Sequence, residues 1–411
     1  MKILVINAGS SSVKFTAFNI GEYQVLANGI VERIGLTGTR LKYHRSGGEA
    51  PVEKEVQVED TRTAVGLITE HLTDGGIGVI KSVDEIGAVG HRVVHGGEKM
   101  TQPVIIDEEA KEVIKECFEL APLHNPHNLR GILACEEHFP EVPQVAVFDT
   151  AFHATIPEHA YLYGIPYKFY RDNKIRRYGF HGVSHKYVST EAAKMLEKHL
   201  SETKIITCHL GNGCSITAVD GGKSVDTSMG FTPLEGLIMG TRCGDIDPAI
   251  VFYLMEYGHL NPDQVNRMLN TQSGLLGLAE IESSDLRDIL QAMENGNKQA
   301  KSAVLAFVYR IKKYIGAYAA ALGSVDAVVF TGGIGENSPL VRQLALGGLD
   351  SGELFCVAVD PIKNANTNGK ACEIQSEDSR IRVLLVPTNE ELEIARQTWQ
   401  VLHEKSKSQQ S

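Results

Sequence analysis

Short, continuous apolar runs that break into glycine- or serine-rich turns recur along this chain, and the stretches between them carry helical spacing. Lys2–Asn7 is β-branched and nearly unbroken, the pattern of a strand buried on both faces. Ala8-Gly9-Ser10-Ser11-Ser12 reads as a turn and Val13–Phe18 as the returning strand. The design then repeats at one constant offset, Lys2 matching Lys204, Ile3 matching Ile205 and Gly9 matching Gly211. In this second copy Lys204–His209 is the strand, Leu210-Gly211-Asn212-Gly213 the turn and Ser215–Val219 the return. A second pair of strands repeats too. Gln144–Phe148 runs into Asp149-Thr150-Ala151, and Asp326–Phe330 runs into the polar loop Thr331–Asn337. Val304, Val308, Ile311, Ile315, Tyr318 and Leu322 mark one face of a long helix. Ser184–Leu200 and Pro126–Phe139 predict two more, the latter with its proline in the first turn. Strands alternating with helices in two similar halves predict a duplicated α/β unit, with a boundary near residue 150. Arg40–Asp60 is polar and predicts a surface hairpin or loop, and the tail from His403 is expected to fray.

Composition changes this picture in few places. Glycine is the outlier, 40 of 411 residues, and it clusters in the turns rather than in linkers. The net charge of −11 argues against nonspecific binding to nucleic acid or anionic membrane. It leaves room for a small anion, because a local arginine cluster can hold one whatever the total. No window reaches the ~18 consecutive apolar residues of a membrane span. The apolar run at Ile3–Ile6 ends too soon for a signal peptide. The 7 cysteines show no C-x-x-C spacing, which argues against a disulfide framework or a zinc knuckle and predicts a reducing cytoplasm.

Glycine-rich turns placed directly after strands let backbone N–H groups approach phosphate oxygens. Three such turns in a duplicated frame point to a polyphosphate gripped by hairpins. The single-loop signatures are absent: before Gly222-Lys223-Ser224 the position a P-loop reserves for glycine is Thr217, and His91-Arg92 is followed by Val93 where a kinase catalytic loop needs Asp. Arginine and histidine lie in unusual company in His91–Gly97, Gly179–Gly182 and Met239–Asp245. Small neighbours let a ligand come close and leave each cation few protein partners. Guanidinium groups suit planar recognition of carboxylate or phosphate. A structural ion pair is the alternative for each arginine.

Seven segments then resemble acetate kinases: Asn7–Phe15 (NAGSSSVKF), His91–Glu98 (HRVVHGGE), Asp149–His153 (DTAFH), His209–Gly213 (HLGNG), Met239–Pro248 (MGTRCGDIDP), Thr331–Asn337 (TGGIGEN) and Pro387–Glu391 (PTNEE). They run in order from residue 3 to residue 395, so the resemblance spans the chain. It implies an α/β fold of two duplicated actin-like, ribonuclease-H-like domains with an active-site cleft between them. The first domain would cover residues 1–150, completed by the C-terminal helix 388–404, and the second residues 151–387. The implied reaction is reversible phosphoryl transfer from ATP to acetate, giving ADP and acetyl phosphate, with Mg²⁺ or Mn²⁺, in a cytoplasmic homodimer.

By the same resemblance Asp149, His181 and Arg242 are catalytic, and Arg92 holds the acetate carboxylate. Val94, Leu123, Phe180 and Pro233 wall the methyl group. Asn7 and Glu390 are placed at the metal. Lys14, His209, Leu210, Gly211, Asn212, Gly213, Asp285, Leu286, Arg287, Gly332, Gly333, Ile334, Gly335 and Glu336 are placed along the nucleotide. Several of these have an equally plain structural use. Asp149 can cap the segment after its strand, Lys14 can face solvent, and Glu390 can belong to a polar first helical turn. His124 either holds the wall or touches phosphate. Cys214 and Cys243 replace smaller residues and are expected to be thiol-reactive positions beside the site. Asp149 is expected to position the metal rather than to move a proton, because acetate is already ionised at neutral pH. Two rivals share the scaffold: a propionate or butyrate kinase, and a non-enzymatic nucleotide switch, which would need no second anion pocket.

Overall fold

The computed structural model describes residues 1–48, 50–350 and 355–408. Among them the chain forms two compact α/β units, Met1–Ala154 with Asn389–Ser411, and Thr155–Thr388. Each is built around its own sheet.

The first unit holds β1 (Lys2–Ala8), β2 (Ser12–Asn19), β3 (Gln24–Glu32), β4 (Arg40–Arg45), β5 (Val52–Glu55), β6 (Ile86–Val93), β7 (Val104–Ile105) and β8 (Gln144–Phe148), in the order β5-β4-β3-β2-β1-β6-β8-β7. The polar Arg40–Asp60 stretch supplies the β4–β5 hairpin at the sheet edge. The second unit holds β9 (Lys204–Leu210), β10 (Cys214–Asp220), β11 (Lys223–Thr227), β12 (Ala327–Thr331), β13 (Cys372–Glu373) and β14 (Arg382–Leu385), ordered β11-β10-β9-β12-β14-β13. In both sheets the first strand pairs antiparallel with its hairpin partner and parallel with a later strand. The two units therefore share one central topology, as the repeat in the sequence requires.

The central strands are largely apolar because helices cover them. In the first unit Leu4, Ile6, Phe15 and Val31 pack with Val65, Ile68 and Leu72 of the helix Thr61–Thr73. On the other side the C-terminal helix Glu390–Ser408 lies on β1, β6 and β8. Gly90 of β6 permits that approach, since a Cβ there would sit 2.4 Å from Thr398 Oγ1. In the second unit the helix Lys298–Leu322 buries Val304, Val308, Ile311, Ile315, Tyr318 and Leu322, the face that the spacing marks out. It starts at an Asn297 cap and stops at Gly323 in the left-handed region.

Three segments differ from the sequence-based expectation. The helix predicted at Ser184–Leu200 spans Gly182–Met195. The tail expected to fray from His403 continues as helix to Ser408, and its last residues lie outside those described. The loop expected over Thr331–Asn337 is instead the end of β12 followed by a short helix, Gly332–Asn337. Its first N–H, from Gly332, is capped by the Glu336 carboxylate at 2.9 Å, which stabilises a turn whose glycines would otherwise disfavour helix.

Candidate active site

The parallel strands of the first unit end on the same side, and their carboxyl ends carry chemistry. Asn7 stands at the end of β1, Arg92 at the end of β6, and Asp149 directly after β8. Register holds them together: Ile6 pairs with His91, Arg92 with Val147, and the Asp149 N–H donates to the Val93 carbonyl at 2.8 Å. The first turn of the C-terminal helix brings Glu390 to the same place, 3.7 Å from Arg92 Nε.

Arg92 is not the bare cation that its glycine-rich context suggests. Its Nη2 donates to Asp149 Oδ2 at 2.8 Å, and Asp149 is 1% exposed. Burial disfavours the guanidinium charge, but Asp149, Glu390 and Glu391 outweigh it and hold the Arg92 pKa above the ordinary value. Arg92 Nε is buried and, among the described residues, has no hydrogen-bond acceptor. A carboxylate ligand would satisfy it.

The acids outnumber the cations here. Burial, with Asp149 and Glu391 nearby, pushes the Glu390 carboxyl up to about 7 against the pull of Arg92 and Lys14. Oxygen donors with surplus negative charge fit a hard divalent cation. No group of three or more His, Cys, Asp or Glu among the described residues could hold a metal alone. Lys14 lies on β2 opposite Asn7, is exposed, and approaches Glu391 at 3.7 Å.

Two asparagines that the sequence reading passed over hold this end of the sheet. Asn125 and Asn128 are buried in the first turn of the helix Asn125–His138. Asn128 accepts from the Val94 N–H at 3.1 Å and donates to the Ala8 carbonyl at 2.8 Å. Asn125 accepts from the His95 N–H at 3.0 Å and donates to the carbonyls of His95 and Ile114. The signal was available in His124-Asn125-Pro126-His127-Asn128: two asparagines three apart on one helix face, where asparagine is a poor helix former. Val94 is buried, whereas Leu123 is 71% exposed.

In the second unit His181 caps the helix Gly182–Met195 in a left-handed conformation, φ 57°, that a residue other than glycine adopts at a cost. Its ring stacks on His209 with centroids 4.3 Å apart. Arg242 differs sharply from Arg92. Its Nη1 donates to the Pro233 carbonyl at 3.3 Å and to Met239 Sδ at 3.8 Å, both neutral. Burial pulls its pKa below the ordinary value, and the small opposing influence comes from a thiol, not an acid. Among the described residues no acid pairs with this cation. A Cβ on Gly213 would lie 3.3 Å from His181 Nε2 and 3.6 Å from Arg242 Nη1, so this glycine keeps open a space that both groups border. Phe180 is buried beside His181, and Pro233 is half-buried.

Gly211, Asn212, Asp285, Leu286, Arg287, Gly333 and Ile334 line one cavity of about 500 Å³, a volume suited to a nucleotide. Ser284, Leu290, Asn337 and Ser338 complete its wall and were not singled out from the sequence. Glu336 serves the backbone instead, accepting from Gly332 N at 2.9 Å and Thr388 N at 3.1 Å. His209, Leu210, Gly213, Gly332 and Gly335 support this cavity's turns without lining it. The expected thiol reactivity of Cys214 is corrected: it is fully buried and burial pushes its pKa up to about 12. Cys243 is half-buried and shifted upward for the same reason.

The model of the acetokinase family matches residues 2–396. An acetate kinase of Alkaliphilus metalliredigens is 56% identical over 398 residues, 97% of this chain and 99% of that protein. The crystal structure of Porphyromonas gingivalis acetate kinase superposes with a TM-score of 0.92 at 46% identity, covering 98% of this chain and 99% of that one. A propionate kinase from Francisella tularensis gives 0.90 at 41% identity, covering 97% and 99%.

Proposed function

This chain belongs to the acetokinase family, and we propose that it transfers the γ-phosphoryl group of ATP reversibly to acetate, giving acetyl phosphate and ADP. Mg²⁺, held by Asn7 and Glu390 with Asp149 behind them, would neutralise the phosphates. Arg92 binds the acetate carboxylate through its unsatisfied Nε–H and fixes the attacking oxygen. Arg242 and His181 stabilise the phosphoryl oxygens during transfer. Asn212, Asp285, Leu286, Arg287 and Gly333 bind the nucleotide. In-line transfer asks little covalent work of a protein; positioning and charge neutralisation dominate.

The observation that carries this reading is the contrast between the two arginines. One is set among acids beside the apolar Val94, and the other is buried among neutral groups that leave its charge available. A nucleotide switch has no use for the pair.

Acyl hydroxamate formation with ATP, hydroxylamine and acetate, propionate or butyrate tests the reading. One methylene discriminates by ~1–3 kcal/mol, roughly 10–200-fold. Acetate is expected to be preferred, propionate to react measurably and butyrate scarcely at all. A preference for butyrate would overturn the acetate assignment.

A homodimer completes the proposal. The helix Ala249–Glu256 is apolar at every position but its last, Glu256, and has no buried residue, with Phe252 69% and Tyr253 63% exposed. An isolated chain does not leave such a helix in water without cause. Sedimentation is expected to give twice the chain mass, and Phe252→Glu with Tyr253→Glu to shift it toward one chain. A monomeric parent protein would refute this.

No helix among the described residues is long and apolar enough to cross a membrane.

A further inference from the structure

The face of the second sheet beneath His181 is polar although it is buried. Thr207 on β9 and Ser215 and Thr217 on β10 are fully inaccessible, and so is His185 on the helix Gly182–Met195 that covers them. The pairing Ser215 to His209 and Thr217 to Thr207 puts all four strand residues on one face. Polar groups in such a place persist only if they bond to one another.

They form a chain. His181 Nδ1 lies 2.8 Å from Ser215 Oγ, and Ser215 Oγ lies 2.7 Å from His185 Nε2. His185 Nδ1 lies 2.7 Å from Thr207 Oγ1, which donates at 3.4 Å to the Thr217 carbonyl.

The far end sets the direction, because a carbonyl only accepts. Thr207 gives its proton to that carbonyl and so receives from His185 Nδ1–H. Both ring nitrogens of His185 meet hydroxyls and the ring is fully buried, which disfavours an imidazolium, so this chain calls for the neutral ring with Nε2 as the acceptor. Ser215 then donates to His185, and its oxygen receives from His181 Nδ1–H. The stacked ring of His209, tied by its Nδ1 to Ser184 Oγ at 2.8 Å, holds the plane of His181.

We propose that Thr207, His185 and Ser215 are positioning residues that hold His181 in its Nδ1–H form, so that Nε2 is the nitrogen presented to the transferring phosphoryl group. This rests on the phosphoryl-facing role of His181 proposed above. The geometry at Gly213 fits it, since Nε2 borders the same space as the Arg242 guanidinium. A wrong tautomer can abolish most of a histidine's catalytic use while leaving the fold and substrate binding intact.

The test uses the full-length protein labelled with ¹⁵N-histidine, with the His181 signals assigned by their loss in His181→Gln. In the wild-type protein at a pH where His181 is neutral, a protonated Nδ1 and an unprotonated Nε2 are expected. Thr207→Val keeps the shape but removes the direction-setting hydroxyl, which frees His185 to reverse and His181 to follow. The His181 spectrum should then shift toward Nε2–H, with kcat falling roughly 10–10³-fold while the KM for ATP and for acetate stays within about threefold. Ser215→Ala should produce the same split between kcat and KM. His185→Gln, whose amide oxygen can still accept from Ser215, should retain far more turnover than His185→Leu. An Nε2–H form in the wild-type protein overturns the proposal, as does a Thr207→Val protein with unchanged tautomer and unchanged kcat. Full turnover in His181→Gln would instead sink the phosphoryl-facing role itself, which separates the two failures.

Discussion

Arg242→Ala is expected to lower kcat on the order of 10²–10³-fold while leaving the acetate KM near its wild-type value. The structural ground is the poverty of its surroundings: a carbonyl and a thioether hold it, and burial pulls its pKa down without an acid to offset this. A charge kept in that condition gains most when negative charge develops in front of it. Arg92→Ala should fail differently. Arg92 is already matched by Asp149 and Glu390, and its open Nε–H suits a carboxylate present in ground and transition states alike. Its loss should chiefly raise the acetate KM. Steady-state kinetics of the two variants, with both substrates varied, decides the matter. If Arg242→Ala leaves kcat intact, the assignment of the developing charge to Arg242 is wrong.

Asp149→Asn should weaken the response to Mg²⁺ and raise the acetate KM together, with kcat/KM falling on the order of 10²-fold. An attacking carboxylate is ionised at neutral pH and needs no general base. Asp149 is instead buried against Arg92 and contributes to the negative surplus that raises the Glu390 pKa. Removing its charge is therefore expected to lower the field for a cation and to loosen the guanidinium proposed to receive acetate. Magnesium titrations at saturating nucleotide measure the first effect, acetate titrations the second, and thermal unfolding checks that the buried pair was not needed merely for folding. An unchanged magnesium requirement together with a lost limb of the pH–rate profile would return Asp149 to proton transfer.

Much of the site was legible along the chain. The turns after β1 and β9 and the residues Arg92, His181 and Arg242 stand out because glycine and cations rarely interrupt strand-like runs without a reason, whereas Asp149 was marked only by the resemblance. The partners of those residues were not legible. Glycine neighbours suggested that both arginines would be poorly partnered, yet Arg92 meets Asp149 and Glu390, which are remote in sequence, while Arg242 remains with neutral groups. The short helix Gly332–Asn337 read as a loop because local propensity knows nothing of the Glu336 cap. Cys214 looked reactive because it replaces a smaller residue beside the site, but in the structure it is fully buried at the start of β10.

The continuous apolar runs, the helical spacing of Val304 to Leu322 and the glycine turns, repeated at one offset, were enough to predict a duplicated α/β unit. These are properties of residues within one strand or one turn of each other, where backbone geometry alone decides which side chains share a face. Charge balance and tautomer are different in kind. Whether Arg92 is paired, whether Glu390 can ionise, and which nitrogen of His181 carries the proton depend on groups brought within 3 or 4 Å by sheet register and by the helices Gly182–Met195 and Glu390–Ser408. Electrostatic and hydrogen-bond energies fall off over a few ångströms in space, without regard to distance along the chain, so only the tertiary structure could settle them.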